Sequence, residues 1–153
     1  MCMKKSFVIA CWLLLAGVVI AGCSSSDDEV GEGRIPAPYG NWLLLGYGSD
    51  DNFTGKENNW KSDLYLVLDE NGDLKGWIGN ELFGTYTFNE DGEFTVTRCG
   101  GTKVLADNPH INFVEDQVRG CHIKSYRVTN EELRLYYSSD EYLKFRRTHE
   151  LIY

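Results

Sequence analysis

Leu64-Tyr65-Leu66-Val67-Leu68-Asp69-Glu70-Asn71-Gly72-Asp73-Leu74-Lys75-Gly76-Trp77-Ile78 is the stretch that decides the fold. Leu64, Leu66 and Leu68 alternate with Tyr65 and Val67, the period-two pattern of a strand with both faces partly covered. Asp69-Glu70-Asn71-Gly72 then makes a tight turn, with Gly72 available for the left-handed position. Leu74 to Ile78 returns as the partner strand. The unit repeats at once, because Phe83 to Phe88 alternates, Asn89-Glu90-Asp91-Gly92 turns the chain and Phe94 to Arg98 comes back. Two successive hairpins with acidic-glycine turns are an antiparallel signature.

Working outward, Trp42 to Tyr47 is an apolar run bounded by glycines. Ile123 to Val128, Leu133 to Tyr137 and Tyr142 to Phe145 are further strands, separated by Thr129-Asn130-Glu131 and Ser138-Ser139-Asp140. Between Cys99 and Cys121 the period changes. Asn108 caps a helix whose first position is Pro109, where the missing N–H costs nothing. Ile111, Val114 and Val118 then fall on one face, and Gly120 ends the helix. The expected fold is mainly β: a small antiparallel eight-stranded β-barrel, lipocalin-like in architecture, with one short helix as a plug or lid. Closing such a sheet removes its edges, and at this size the interior is filled by side chains or holds one small ligand.

Several short motifs in this stretch resemble the META domain, also called the HslJ-like domain. They are Gly40-Asn41-Trp42 on the first strand, then Gly76, Gly79, Gly84 and Tyr86 around the next hairpins. Tyr126, Leu133-Arg134-Leu135 and Leu143-Lys144-Phe145 follow. Gly79 is followed directly by Asn80, where that family has an intervening cysteine. The resemblance covers most of the chain from Gly40 to Arg146. It implies a small closed barrel with a helix, common in bacterial lipoproteins linked to stress or drug tolerance, and it brings no catalytic residues with it.

The N-terminus reads as an address. Lys4 and Lys5 precede an almost wholly apolar run from Ser6 to Ile20, short for a transmembrane span but suited to a signal peptide. The alternative is a retained anchor helix. Ile20-Ala21-Gly22-Cys23 resembles a bacterial lipobox, which implies cleavage after residue 22 and lipidation of Cys23. Two or three acyl chains there give a stable membrane anchor. Ser24-Ser25-Ser26-Asp27-Asp28-Glu29 cannot bury itself and reads as a solvated tether. Its position resembles the acidic export signal of surface lipoproteins in one bacterial phylum, and the alternative is a spacer facing the periplasm. The expected organisation is a signal over 1–22, a lipidated and unfolded segment over 23–39, and one domain over 40–153. The expected location is the outer membrane, with the cell surface preferred over the periplasmic face.

Charge narrows the partners. The 153 residues carry 23 Asp and Glu against 15 Lys and Arg, a net charge of −8. A chain this acidic repels phosphate backbones, so nucleic acid is excluded as a partner. What remains is the membrane, reached through the lipid, and an unidentified protein or small molecule.

The residues that do chemistry are sparse. Cys2 and Cys11 leave with the signal, so Cys99 and Cys121 remain as a pair in an oxidising compartment and are read as a disulfide. Two free thiols are the alternative. His110, His122 and His149 show no zinc-site spacing, and His110 and His149 are expected to be exposed. Asp69, Asn71 and Asp73 have the spacing that opens a calcium loop, but Gly72 and Asn80 fall where the loop glycine and closing acid do not. No nucleophile elbow, P-loop or dinucleotide fingerprint occurs. The expectation is a protein without catalytic residues, metal or cofactor.

Binding is better supported. The chain has 7 Phe, 9 Tyr and 4 Trp, and Tyr47, Trp60, Trp77 and Tyr137 are candidates to line a cavity or a sugar-binding rim. Strand surface and core are the plainer reading of the same residues. Gly48 to Lys61 is the longest connection in the domain, and such loops on rigid scaffolds carry recognition. The expected function is a non-catalytic binding or envelope-interaction lipoprotein. The alternatives are an inhibitor of a lytic enzyme or protease acting through that loop, and a lipocalin-like carrier of a small ligand.

Overall fold

The computed structural model describes residues 34–56, 60 and 63–150. The expected signal, Cys23 and the acidic run after it lie outside the described residues.

All eight expected strands form, together with a ninth. In chain order they are β1 (Gly40–Gly48), β2 (Phe53–Gly55), β3 (Tyr65–Leu68), β4 (Asp73–Trp77), β5 (Glu81–Phe88), β6 (Phe94–Gly101), β7 (Ser125–Val128), β8 (Glu132–Tyr136) and β9 (Tyr142–Thr148). Helix α1 (Pro109–Arg119) lies between β6 and β7. The sheet runs β6-β5-β4-β3-β1-β9-β8-β7, antiparallel throughout, with β2 paired to β1 off this path. The two acidic-glycine turns have one design. In each, an asparagine or aspartate side chain caps the backbone two residues on (Asp69 to Asn71 N–H, 2.8 Å; Asn89 to Asp91 N–H, 3.1 Å). A glycine with positive φ, 85° at Gly72 and 93° at Gly92, then completes each turn.

The barrel closes at one end only. Glu93 and Ser125 form an isolated bridge, and hydrogen bonds run from Phe94 N–H to Lys124 and from Tyr126 N–H to Gly92. Beyond this point β6 and β7 part, and α1 packs against β6 at the gap. The result is a curled half-barrel with a helical plug. The physical reason is length: β6 has 8 residues and β7 only 4, so most of β6 has no strand to meet.

Two β-bulges decide which side chains face inward. The register between β1 and β9 shifts between Leu44 and Gly46. Trp42 and Leu44 are buried before the shift, and after it Tyr47 packs against the core although its position has the opposite parity. A second shift, between Thr85 and Tyr86 against β6, has the same consequence for Cys99, which follows buried Phe94 and Val96 at odd spacing. An extra residue in one strand reverses the side-chain alternation beyond it.

The interior is filled. Trp42, Phe94, Tyr126 and Phe145 are fully buried, among the leucines of β3, β4, β5, β8 and β9 and Ile111, Val114 and Val118 of α1. Burying these side chains stabilises the domain by roughly 1.5–3 kcal/mol each before entropy is counted.

The segment just before β1 is not free. Ile35 N–H donates to Glu90 (2.9 Å), the Tyr126 hydroxyl to Pro36 (3.0 Å) and the Trp42 indole to Pro38 (2.9 Å). Tyr39 meets Phe88 edge-on, and Arg147 donates to the Tyr39 carbonyl. Residues 34–39, expected to belong to the unfolded segment over 23–39, are therefore docked on the domain. This segment seals the end of the barrel that carries the β3–β4, β5–β6 and β7–β8 turns. The opposite end of β1 lies roughly 26 Å away at about 3.3 Å per residue.

Candidate functional site

That opposite end is capped by aromatic side chains. Tyr47, near the end of β1, places its hydroxyl 2.7 Å from His110 Nδ1 on the first turn of α1. The His110 ring lies nearly parallel to Trp60, with centroids 5.7 Å apart. Tyr47 also packs on Phe113 (4.6 Å), and Phe113 meets Tyr137 edge-on (5.6 Å). Burial and, after it, the charge of Glu141 push the Tyr137 phenol up to about 12. Three of the four expected aromatics thus converge. Trp60 is 4% exposed and serves the cap as a wall rather than a rim.

Trp77 does not join them. It ends β4 on the outer face of the sheet and is 40% exposed. His110, expected to be exposed, is instead half-buried and hydrogen-bonded, because the first turn of α1 lies over Tyr47 and Trp60. His110 and Phe113 are the two cap residues that the strand-centred reading passed over. Their i, i+3 spacing beside the Ile111–Val114–Val118 face was the available signal.

Helix α1 is fixed by its cap and by one buried carboxylate. The Asn108 side chain accepts from His110 N–H and Pro109 occupies the first turn, as expected. At the other end Gly120 stays in the right-handed region (φ −74°), and the left-handed residue is Cys121 (φ 56°). The helix thus ends at Arg119 with Gly120 as its C-cap, as expected, and only the left-handed conformation falls on the next residue. Glu115 accepts from the Asn80 side-chain amide (2.7 Å) and from Arg119 (2.8 Å), and Arg119 also donates to the Thr102 carbonyl. A groove of about 460 Å³ follows between α1 and the loop after β6, lined by Lys103, Val104, Leu105, Phe113 and Glu115 among others. Val104 and Leu105 are exposed there, at 69% and 83%.

The loop expected to protrude is partly tied down. Gly48 leads through a tight turn into β2, which takes over from β3 as the neighbour of the upper half of β1. Asp50 Oδ1 accepts from the Tyr142 hydroxyl (2.6 Å) and from Arg134 (3.0 Å). Arg134 and Lys144 both reach Glu132, at 2.7 and 2.9 Å. The Tyr142 hydrogen bond, and then Arg134, hold the Asp50 carboxyl below its ordinary range. For Glu132, burial pushes the carboxyl up, and the hydrogen bonds from Lys144 and Arg134 outweigh it. Residues 57–59, 61 and 62 of this connection lie outside the described residues.

The expected disulfide is not formed. Cys99 and Cys121 are both free thiols, the first half-buried and the second exposed. Cys99 packs against the core beneath α1, while Cys121, past the helix end, directs its Sγ to the Arg119 carbonyl (3.7 Å). Burial raises the Cys99 thiol above its ordinary value. The Asp69–Asn71–Asp73 spacing is spent on the turn: Asp69 Oδ1 accepts from the N–H and the side-chain amide of Asn71. Among the described residues no group of three His, Cys, Asp or Glu side chains is placed to hold a metal, and no helix is long and apolar enough to cross a membrane.

The fold is shared with solved structures. An NMR structure of a protein from Burkholderia xenovorans matches at 18% identity and a TM-score of 0.58, over 78% of this chain and 96% of that one. A crystal structure of a DUF4847 family protein from Bacteroides vulgatus matches at 14% identity and 0.52, over 73% of this chain and 94% of that one. At these identities the likeness is one of fold. No protein-family profile and no curated protein matches the chain.

Proposed function

We propose that the chain is a lipid-anchored lipoprotein of the bacterial outer membrane with a META-like, non-catalytic domain. It binds another envelope component through its capped end. The observation that carries this reading is the docking of residues 34–39 at the end of the barrel opposite the aromatic cap. A lipid on Cys23 and a tether of at most about 40 Å would hold the sealed end toward the bilayer. The Tyr47–His110 cap and the α1 groove would then face outward. The acidic run after Cys23 favours the cell surface over the periplasmic face.

Neither alternative gains a specific observation. The interior that a carrier's ligand would enter holds the fully buried side chains of Trp42, Phe94, Tyr126 and Phe145. The loop that an inhibitor would use is fixed at Asp50, which accepts from Tyr142 and Arg134.

The test is site-specific photo-crosslinking of the full chain in its own host. Probes at Val104 and Phe113 should capture one recurrent envelope component, and probes at Asn71 and Glu90 should not. Capture of the same component only from Asn71 and Glu90 would reverse the orientation and overturn the reading.

A further inference from the structure

The outer face of the sheet carries a second aromatic surface that the cap does not use. Register places Leu43, Tyr65, Trp77 and Glu81 opposite one another across β1, β3, β4 and β5. The adjacent row runs Val67, Lys75, Phe83 and Gly100 across β3 to β6. These positions alternate with the buried Leu66, Leu74 and Leu82, so both rows face outward. Trp77 is 40% and Phe83 57% exposed.

Phe83 lies down on the sheet instead of standing away from it. A Cβ built on Gly100 would meet its Cε2, Cζ and Cδ2 at 3.3, 3.6 and 4.0 Å. Glycine in the neighbouring strand therefore gives the ring a flat seat, with its other face open to solvent. Polar groups interleave with the rings: Lys75 and Glu81 beside Trp77 and Phe83, and the Thr85 and Thr97 hydroxyls, 2.8 Å apart, beyond them.

Size and charge decide what fits. At about 4.8 Å between strands the five strands span roughly 19 Å, and two rows make the patch narrower than it is long. Such an area is a few hundred Å², below the roughly 800 Å² per partner of a stable protein interface. A second copy or a folded partner is thus poorly matched to it. The net charge of −8 disfavours anionic polymers. Flat rings at strand spacing, edged by hydrogen-bonding groups, match a chain of neutral sugar rings, whose C–H faces stack on aromatics while their hydroxyls point to the rim.

We infer that the Tyr65–Trp77–Phe83 face is a binding site for a neutral polysaccharide. The inference stands apart from the capped end and does not depend on the lipid anchor.

The test is native electrophoresis of the full chain in non-ionic detergent, through gels containing dextran, a soluble β-glucan, xylan or mannan. At least one polymer should retard the protein. Trp77→Ala and Phe83→Ala should each weaken that retardation about tenfold, while the β-sheet signal in circular dichroism at the gel temperature shows both variants folded. Glu70→Ala, an exposed residue of the β3–β4 turn away from this face and from the capped end, should leave it intact. Equal mobility in every gel would overturn the inference, as would retardation that survives both aromatic substitutions. Concentration-dependent self-association abolished by Trp77→Ala would assign the face to a second copy and overturn it too.

Discussion

The Asn80 side chain donates to Glu115 Oε2 and to the Val104 carbonyl, both at 2.7 Å, while its Oδ1 accepts from Val104 N–H at 2.8 Å. One amide thereby joins the β4–β5 turn, the loop after β6 and helix α1. Both Asn80 and Glu115 are buried, and no buried polar side-chain atom among the described residues lacks a partner.

Removing that amide leaves a buried carboxylate and a main-chain N–H short of partners. Asn80→Ala should cost about 2–3 kcal/mol of unfolding free energy, read from urea denaturation. Asn80→Asp should cost more, since it sets a second carboxyl against Glu115. A loss below about 0.5 kcal/mol in both variants would show that α1 is held by its apolar face alone.

The cap predicts a smaller, local effect. Tyr47→Phe keeps the ring packing on Phe113 but deletes the hydroxyl bonded to His110, and should cost about 1 kcal/mol. His110→Ala should cost more, because it also uncovers Trp60. Tryptophan emission reports this directly: it should shift to longer wavelength in His110→Ala and stay in place in Tyr47→Phe. The reverse order would contradict the packing described.

Thiol labelling checks the two cysteines. Cys121 is exposed and should react with a maleimide within minutes under native conditions. Cys99, half-buried with its thiol pushed up by burial, should label only on unfolding. A native protein that resists labelling and is two hydrogens lighter would restore the disulfide, and would require Cys121 to leave its contact with the Arg119 carbonyl.

The Asp50–Arg134–Glu132–Lys144 network predicts a pH dependence with a definite sign. Asp50 and Glu132 are both held below the ordinary carboxylate range. A folded-state pKa below the unfolded value, near about 4, adds stability above that value. The contribution is lost as pH falls through the folded one. The stability difference between the wild type and Arg134→Ala should therefore be present at about pH 7 and shrink below about pH 4. A difference that holds constant or grows on acidification would contradict the network.

The sheet was legible because its strands alternate cleanly: Leu64, Leu66 and Leu68 all face the core, and both acidic-glycine turns form as their residues dictate. Helix α1 was legible from Asn108 and Pro109. Less visible were the bulges, since an extra residue at Leu45 or Thr97 leaves no compositional mark while reversing the facing of Tyr47 and Cys99. Residues 34–39 were grouped with the tether because they follow the acidic run and show no helix or strand period. Their hydrogen bonds go to side chains as distant as Tyr126. At the site, aromatic content pointed to Tyr47, Trp60 and Tyr137, but His110 and Phe113 join them only once α1 folds over the open end. Strand β2 was hidden because three residues are too few to show a period.

Lipidation of Cys23, proposed to anchor this domain, is read by intact mass spectrometry of the protein extracted from membranes of its own host. The extracted chain should begin at Cys23 and carry two or three acyl chains, and Cys23→Ala should make it soluble and unacylated. An unacylated chain beginning at Met1, or one recovered in the soluble fraction with Cys23 unmodified, would contradict it.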